Sequence, residues 1–171
     1  MKRIVLIRHA KSSWAEESQD DLERPLNQRG RLAAPIMGAW LSDHDIVPEH
    51  VWLSPAKRCQ ETWARMAPEF NAKPAIEEHR ALYMADPKTS LEVLKLTDSA
   101  IETVALVGHQ PGIGSLTRKL ANGKESETLA RAYRKFPTAA VAILEADIKN
   151  WSKLAFDTAR FRHFVVPKEL L

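Results

Sequence analysis

The 171-residue chain has one cysteine, Cys59, so no disulfide can close within it. That scarcity fits a reducing compartment. No apolar run approaches the ~20 residues of a membrane span. The N-terminus opens on a strand pattern rather than a leader, so the expectation is a cytoplasmic protein with no membrane partner. Lys and Arg number 25 against 22 Asp and Glu, a net charge of +3. No dense basic stripe appears, which argues against nucleic-acid binding. None of the six histidines has metal-ligand spacing such as H-x-x-x-H, so no metal is expected, nor any cofactor. There is no internal repeat and no low-complexity linker. The length and the 44% apolar content suit one domain over residues 1–171.

What is present is a succession of apolar strands and helical patterns. Residues 3–8 are apolar without alternation, as in a strand buried on both faces. From Asn27 a helix is expected, with Leu32, Ala33, Ile36, Met37, Trp40 and Leu41 at helical spacing. Pro35 should fall near its first turns or at a kink. Residues 50–54 read as a second strand, with Pro55 in the first turn of a helix running to about Pro68. Residues 75–85 are ambiguous, and Asp86-Pro87 begins another helix. Residues 102–109 form the clearest buried strand, followed by a helix ended by Asn122-Gly123. Residues 139–147 and 160–166 are closing strands, with Trp151 in a turn between them. The alternation predicts an α/β fold: a three-layer α/β/α sandwich around a mainly parallel sheet.

Ligands of open parallel sheets bind beyond the carboxyl ends of the strands. The first strand ends in Arg8 and His9. The second ends in Ser54-Pro55, with Arg58 one turn further on. The strand at 102–109 ends in Gly108 and His109. If these strands are parallel neighbours, two arginines and two histidines converge. Guanidinium groups match phosphate oxygens in bidentate geometry, and helix N-termini add N–H donors. A neutral histidine is a competent nucleophile toward phosphorus if a backbone carbonyl fixes its tautomer. A second histidine can bind an equatorial oxygen as charge builds. The other four histidines, His44, His50, His79 and His163, read as solvated or capping groups. Trp40, Trp52 and Trp63 sit in apolar patterns, whereas Trp14 falls in the polar loop after His9, where it could line a pocket mouth.

Three segments, "VLIRHAKS", "LSPAKRCQET" and "LVGHQPG", resemble in that order the signatures of the histidine phosphatase superfamily. "DDLERPLNQRG" resembles the loop before that family's first helix. The short length, "LYMAD", "FPTAAVAILEAD" and the terminal "FVVPKEL" look most like bacterial SixA-type phosphohistidine phosphatases. The resemblance implies a phosphoglycerate mutase-like fold, with His9 as the residue that becomes phosphorylated. It implies that Arg8, Arg58 and His109 bind the phosphoryl group. Independently of it, "ERPL" places Arg24 near the start of the first helix, either facing the pocket as a substrate-binding group or pairing with Asp20 or Asp21. Larger relatives use a mid-chain carboxylate as proton donor. Here the aligned position falls near Ala81, and the neighbouring candidates are Glu77, Glu78 and Asp86, of which Glu78 and Asp86 are preferred. Ala10 stands where many relatives have glycine.

A weak acid suits a labile P–N bond, because a phosphoramidate can leave as neutral imidazole. The expected substrate is therefore a phosphohistidine-bearing protein. A small phosphomonoester or a mutase-like transfer, helped by Lys11, Arg24 and Lys57, is the nearer rival. A non-catalytic phospho-ligand binding module is the rival of another class. Cys59 to Arg65 also fits the C-x5-R spacing of cysteine-dependent phosphatases. Its intervening Gln-Glu-Thr-Trp-Ala favours a helix over a phosphate-cradling nest.

Overall fold

The computed structural model describes residues 1–123 and 126–170. Six strands form one mixed sheet: β1 (Lys2–Arg8), β2 (His50–Leu53), β3 (Ala75–Glu78), β4 (Thr103–Gly108), β5 (Val141–Ala146) and β6 (Arg160–Val165). Their spatial order is β3-β2-β4-β1-β5-β6. The β3/β2, β2/β4 and β4/β1 pairings are parallel; β5 runs antiparallel to both β1 and β6. The strands flanking the first cleft residues are thus parallel neighbours, as the strand-end argument required.

Five helices cover the sheet: α1 (Gln28–Asp43), α2 (Lys57–Met66), α3 (Pro87–Leu94), α4 (Gly112–Leu120) and α5 (Glu127–Arg134). The period-two pleat of β1 divides its side chains between them. Val5 and Ile7 join Met37, Leu41, Trp63 and Met66 of α1 and α2. Ile4 and Leu6 join Leu94, Leu116, Leu120 and Leu129 of α3, α4 and α5. Both faces of the central strands are therefore dry, which is why β1 and β4 show no polar alternation.

Helix starts follow their capping residues. Asn27 accepts from the Gly30 N–H at 2.9 Å, and Asp86 accepts from the Thr89 N–H at 2.8 Å. Pro35 sits eight residues into α1, and the helix continues through it rather than ending. Pro55 precedes the N-cap of α2, Ala56, instead of opening its first turn. The ambiguous stretch resolves as β3, a fully exposed edge strand, and a short 3-10 turn at Arg80–Leu82. Trp151 is buried at the start of another such turn and donates to the Ile101 carbonyl at 2.8 Å. Among the described residues no helix is long and apolar enough to cross a membrane.

Candidate active site

β1, β4 and β2 end side by side, and the residues just beyond their ends supply the polar groups. The His9 N–H donates to the Gly108 carbonyl at 3.0 Å, and the Ser54 N–H to the Val107 carbonyl at 3.2 Å. From the β5 side, the Ala139 N–H donates to the carbonyls of Arg8 and His9 at 3.1 and 3.0 Å. Ala139 adopts φ 64°, a left-handed conformation costly for an alanine. One N–H is thus shared between both carbonyls of the dipeptide.

His9 is 8% exposed. Its Nδ1 lies 2.8 Å from the Ala10 carbonyl. A carbonyl only accepts, so Nδ1 carries the hydrogen and Nε2 keeps the lone pair. Burial presses the His9 pKa down to about 4; the Ala10 bond opposes it, and the charges of Arg58, Arg8 and Arg24 add to it. The ring is therefore neutral at neutral pH. Ala10 is itself pinned: its N–H donates to Thr62 Oγ1 at 2.9 Å, and that hydroxyl donates to the Arg58 carbonyl at 2.6 Å.

His109 lies 5.3 Å from His9 between ring centroids, at 60°. Burial, then the neighbouring His9 and Arg58, lower its pKa to about 3. Arg58 Nη2 stands 3.4 Å from His109 Nδ1. A guanidinium only donates, so Nδ1 accepts and the Nε2–H donates to Ser54 Oγ at 2.7 Å.

A carboxylate ties the arginines together. Asp21 accepts from Arg24 Nη1 at 2.8 Å, from Arg58 Nη2 at 3.0 Å and from the Tyr83 hydroxyl. Its backbone carbonyl accepts from Arg58 Nη1 at 2.7 Å. Burial works against the ionised Asp21, but hydrogen bonds from Tyr83, Arg24 and Arg58 outweigh it and hold the carboxyl well below the usual range. The same Asp21 bond pushes the Tyr83 phenol up. Arg24 also donates through Nε to the Ser13 carbonyl at 3.0 Å, and its guanidinium lies 3.3 Å from the Trp14 ring centroid. Arg8 donates through Nη1 to the Phe136 carbonyl at 2.8 Å. The Nε groups of Arg8 and Arg58 are buried donors without a protein partner.

These side chains line a cleft of about 460 Å³. Among the described residues four cations face it, Arg8, Lys11, Arg24 and Arg58, against the single carboxylate of Asp21, a surplus of three positive charges. Such a pocket attracts a dianion, and it holds a neutral imidazole with a free lone pair at its base. A model of the histidine phosphatase superfamily, branch 1, matches residues 4–82, the segment that contributes Arg8, His9, Asp21, Arg24 and Arg58.

The chain belongs to the histidine phosphatase superfamily. It is a histidine-dependent phosphatase with the α/β fold of phosphoglycerate mutase-like members. An uncharacterized protein from Mycobacterium leprae is 31% identical over 166 residues, 95% of this chain and 100% of that one. A structure from Nakamurella multipartitia, provisionally named phosphohistidine phosphatase SixA, is 25% identical with TM-score 0.85, covering 97% of this chain and 96% of that one. One from Agrobacterium tumefaciens, named the same way, is 26% identical with TM-score 0.79, covering 97% and 99%.

Of the residues singled out from the phosphatase's sequence, the fold brings Arg8, His9, Arg24, Arg58 and His109 into one cleft. It leaves Glu78 and Asp86 outside. Glu78 ends the exposed edge strand and accepts from the Gln60 side chain. Asp86 caps α3, and the Thr89 N–H that it accepts lowers its pKa, so it stays ionised. Of residues 77–86, Met84 alone lines the cleft among the described residues. Lys57 is exposed and does not line the cleft, whereas Lys11 does. Trp14, 73% exposed, stands at the rim. The C-x5-R reading fails: residues 59–65 lie within α2, and burial pushes the Cys59 thiol up to about 12, far from a thiolate nucleophile.

Sequence reasoning offered Asp21 only as an alternative ion partner for Arg24. It missed Tyr83, Thr62 and the bond from Ser54 to His109. The i, i+3 spacing of Asp21 and Arg24 was a visible signal. Tyr83 falls within "LYMAD", but nothing local there announces its bond to Asp21 across 62 residues of chain.

Proposed function

We propose that this phosphatase removes the phosphoryl group from phosphohistidine in a protein substrate, through a covalent intermediate on His9. The observation that carries the reading is the combination at the cleft: a neutral His9 with a free Nε2, and no carboxylic acid able to deliver a proton. Asp21, the one carboxyl lining the cleft among the described residues, is held ionised by three donors. An alkyl phosphate needs a strong proton donor for its alkoxide leaving group. A phosphohistidine leaves as neutral imidazole when its own ring carries the proton. The similarity to proteins provisionally named phosphohistidine phosphatase supports the same substrate class.

In the proposed sequence, Arg8 and Arg58 clamp the phosphoryl oxygens, drawing on their unpartnered Nε donors. His9 Nε2 attacks phosphorus as the substrate P–N bond breaks, and the bonding pair departs with the protonated substrate ring. The Ala10 carbonyl steadies the positive charge that develops on His9. His109 faces the same oxygens and donates once it takes a proton, which the dianion favours by offsetting the depressing charges of Arg58 and Arg8. Water then attacks phosphorus, the P–Nε2 bond breaks, and orthophosphate leaves with His9 neutral again.

The test compares a phosphohistidine peptide with an alkyl phosphomonoester. Missing general-acid assistance corresponds to about 10²–10⁴ in rate, so kcat/KM should favour the peptide by at least about 100-fold. Alkaline-quenched enzyme should carry a phosphoryl group on His9, and His9→Ala should carry none. Equal kcat/KM on both substrates would refute the reading.

A further inference from the structure

A second groove, of about 770 Å³, adjoins the cleft. Lys11 and Thr138 line both, so the two are continuous. Its floor is apolar: Leu32 and Ile36 from α1, Phe164 and Val166 from the β6 end. Leu32 is 62% exposed. The rim is basic. Arg29, Lys135 and Lys168 stand around the floor together with Lys11, and none of the four has an ion-pair partner among the described residues. Arg131 is different: it pairs with Glu169 and donates to the Phe164 carbonyl, closing one wall. No carboxylate lines the groove among the described residues.

From this geometry we infer that the groove docks an acidic, apolar-faced segment of the phosphoprotein substrate, beside the phosphohistidine that enters the cleft. The inference rests on the phosphohistidine-protein reading above and adds where the rest of the substrate binds. Charge complementarity selects the occupant: four cations with no ion-pair partner among the described residues, around an apolar floor, attract Asp and Glu flanking buried aliphatic or aromatic side chains. Continuity through Lys11 and Thr138 places that segment on the same molecule as the phosphoryl group. A free small phosphoramidate would touch the cleft alone, so the groove should discriminate between proteins and small substrates.

The experiment uses the full chain with two substrates: a small acidic protein phosphorylated on histidine by phosphoramidate, and phosphoramidate itself. The variants are Arg29→Glu/Lys135→Glu and, separately, Leu32→Glu; all three positions are exposed and none is in the catalytic machinery. KM for the acidic phosphoprotein should rise at least about 10-fold in each variant, with kcat/KM for phosphoramidate unchanged within about twofold. For the wild type, raising salt should lift KM on the protein only. Unchanged KM on the phosphoprotein overturns the groove while leaving the phosphatase reading intact. Equal losses on both substrates also overturn it, since the substitutions then act on the cleft. A wild-type dimer that Leu32→Glu converts to monomer assigns the groove to a second copy instead. Failure of the wild type on every phosphohistidine protein, with His9-dependent turnover of phosphomonoesters, would remove the substrate reading on which the inference rests.

Discussion

Lowering the pH from 7 to 5 should cost the wild-type protein stability that a His9→Gln variant retains. His9 is enclosed, and protonating it in the folded state sets a cation against Arg58, Arg8 and Arg24 in a site with little water. Its pKa falls from 6.5 to about 4. The unfolded chain takes up that proton first, as pH drops through 6.5. Stability is therefore complete above 6.5, declines between 6.5 and 4, and levels off below. The full fall of about 2.5 in pKa corresponds to about 3 kcal/mol at about 1.4 kcal/mol each. About 2 kcal/mol of it is lost by pH 5, where most exposed carboxylates are still ionised. Urea denaturation of both proteins at pH 7 and pH 5 measures the difference directly. A glutamine cannot titrate, so the variant should lose about 2 kcal/mol less than the wild type. Imidazole NMR gives a second readout, with the His9 ring titrating near 4 and its Nδ1 protonated above that. Parallel losses in the two proteins, or a His9 pKa at or above 6, would refute the account of a desolvated, arginine-flanked nucleophile. Orthophosphate offers an internal check, because its charge offsets the arginines and should narrow the gap.

Three further outcomes follow from the packing. Cys59→Ser should leave kcat/KM within about twofold, and iodoacetamide should fail to label the folded wild type, since the thiol is buried with its pKa at about 12; rapid alkylation with loss of activity would contradict this. Gly30→Ala should destabilise by about 2 kcal/mol or more and slow turnover, because a Cβ there would lie 2.2 Å from the Lys11 carbonyl in the loop that follows His9; thermal melting and kinetics measure both. Ser54→Ala removes the acceptor of the His109 Nε2–H and should lower kcat by about 10-fold with KM nearly unchanged, matching the ~1–2 kcal/mol of a buried hydrogen bond; steady-state kinetics on the phosphohistidine peptide tests the split.

Much of the architecture was readable because burial writes itself into composition. β1 and β4 are covered on both faces, so Ile4 to Ile7 and Val104 to Val107 appear as unbroken apolar runs, and polar groups at their ends stand out. Asn27 and Asp86 announce helix starts through their side-chain chemistry. β3 was illegible because every residue of it is exposed and no alternation survives. α5 was overlooked because it buries only Leu129 and Ala132, too few to establish a period. Pro35 does not hide α1, because Met37, Trp40 and Leu41 keep the helical period past it, and the packing of Ala34, Met37, Gly38 and Leu41 carries the helix through the proline.

The sequence by itself determined the strand-end placement of Arg8, His9 and His109, since each depends only on where an apolar run stops, and it set Arg58 one turn further on from the second such end. Tertiary structure alone decided their protonation and their company. His9 is neutral because burial desolvates its ring, and Arg58 and Arg24, from other segments, add their charge to that of the adjacent Arg8. Asp21, rather than a mid-chain acid, reaches the arginines because α2 and the turn before α3 close over the loop that carries it. The basic groove likewise exists only where α1, the end of α5 and the last strand meet. Electrostatic work depends on separation in space and on access of water, and neither is written along the chain.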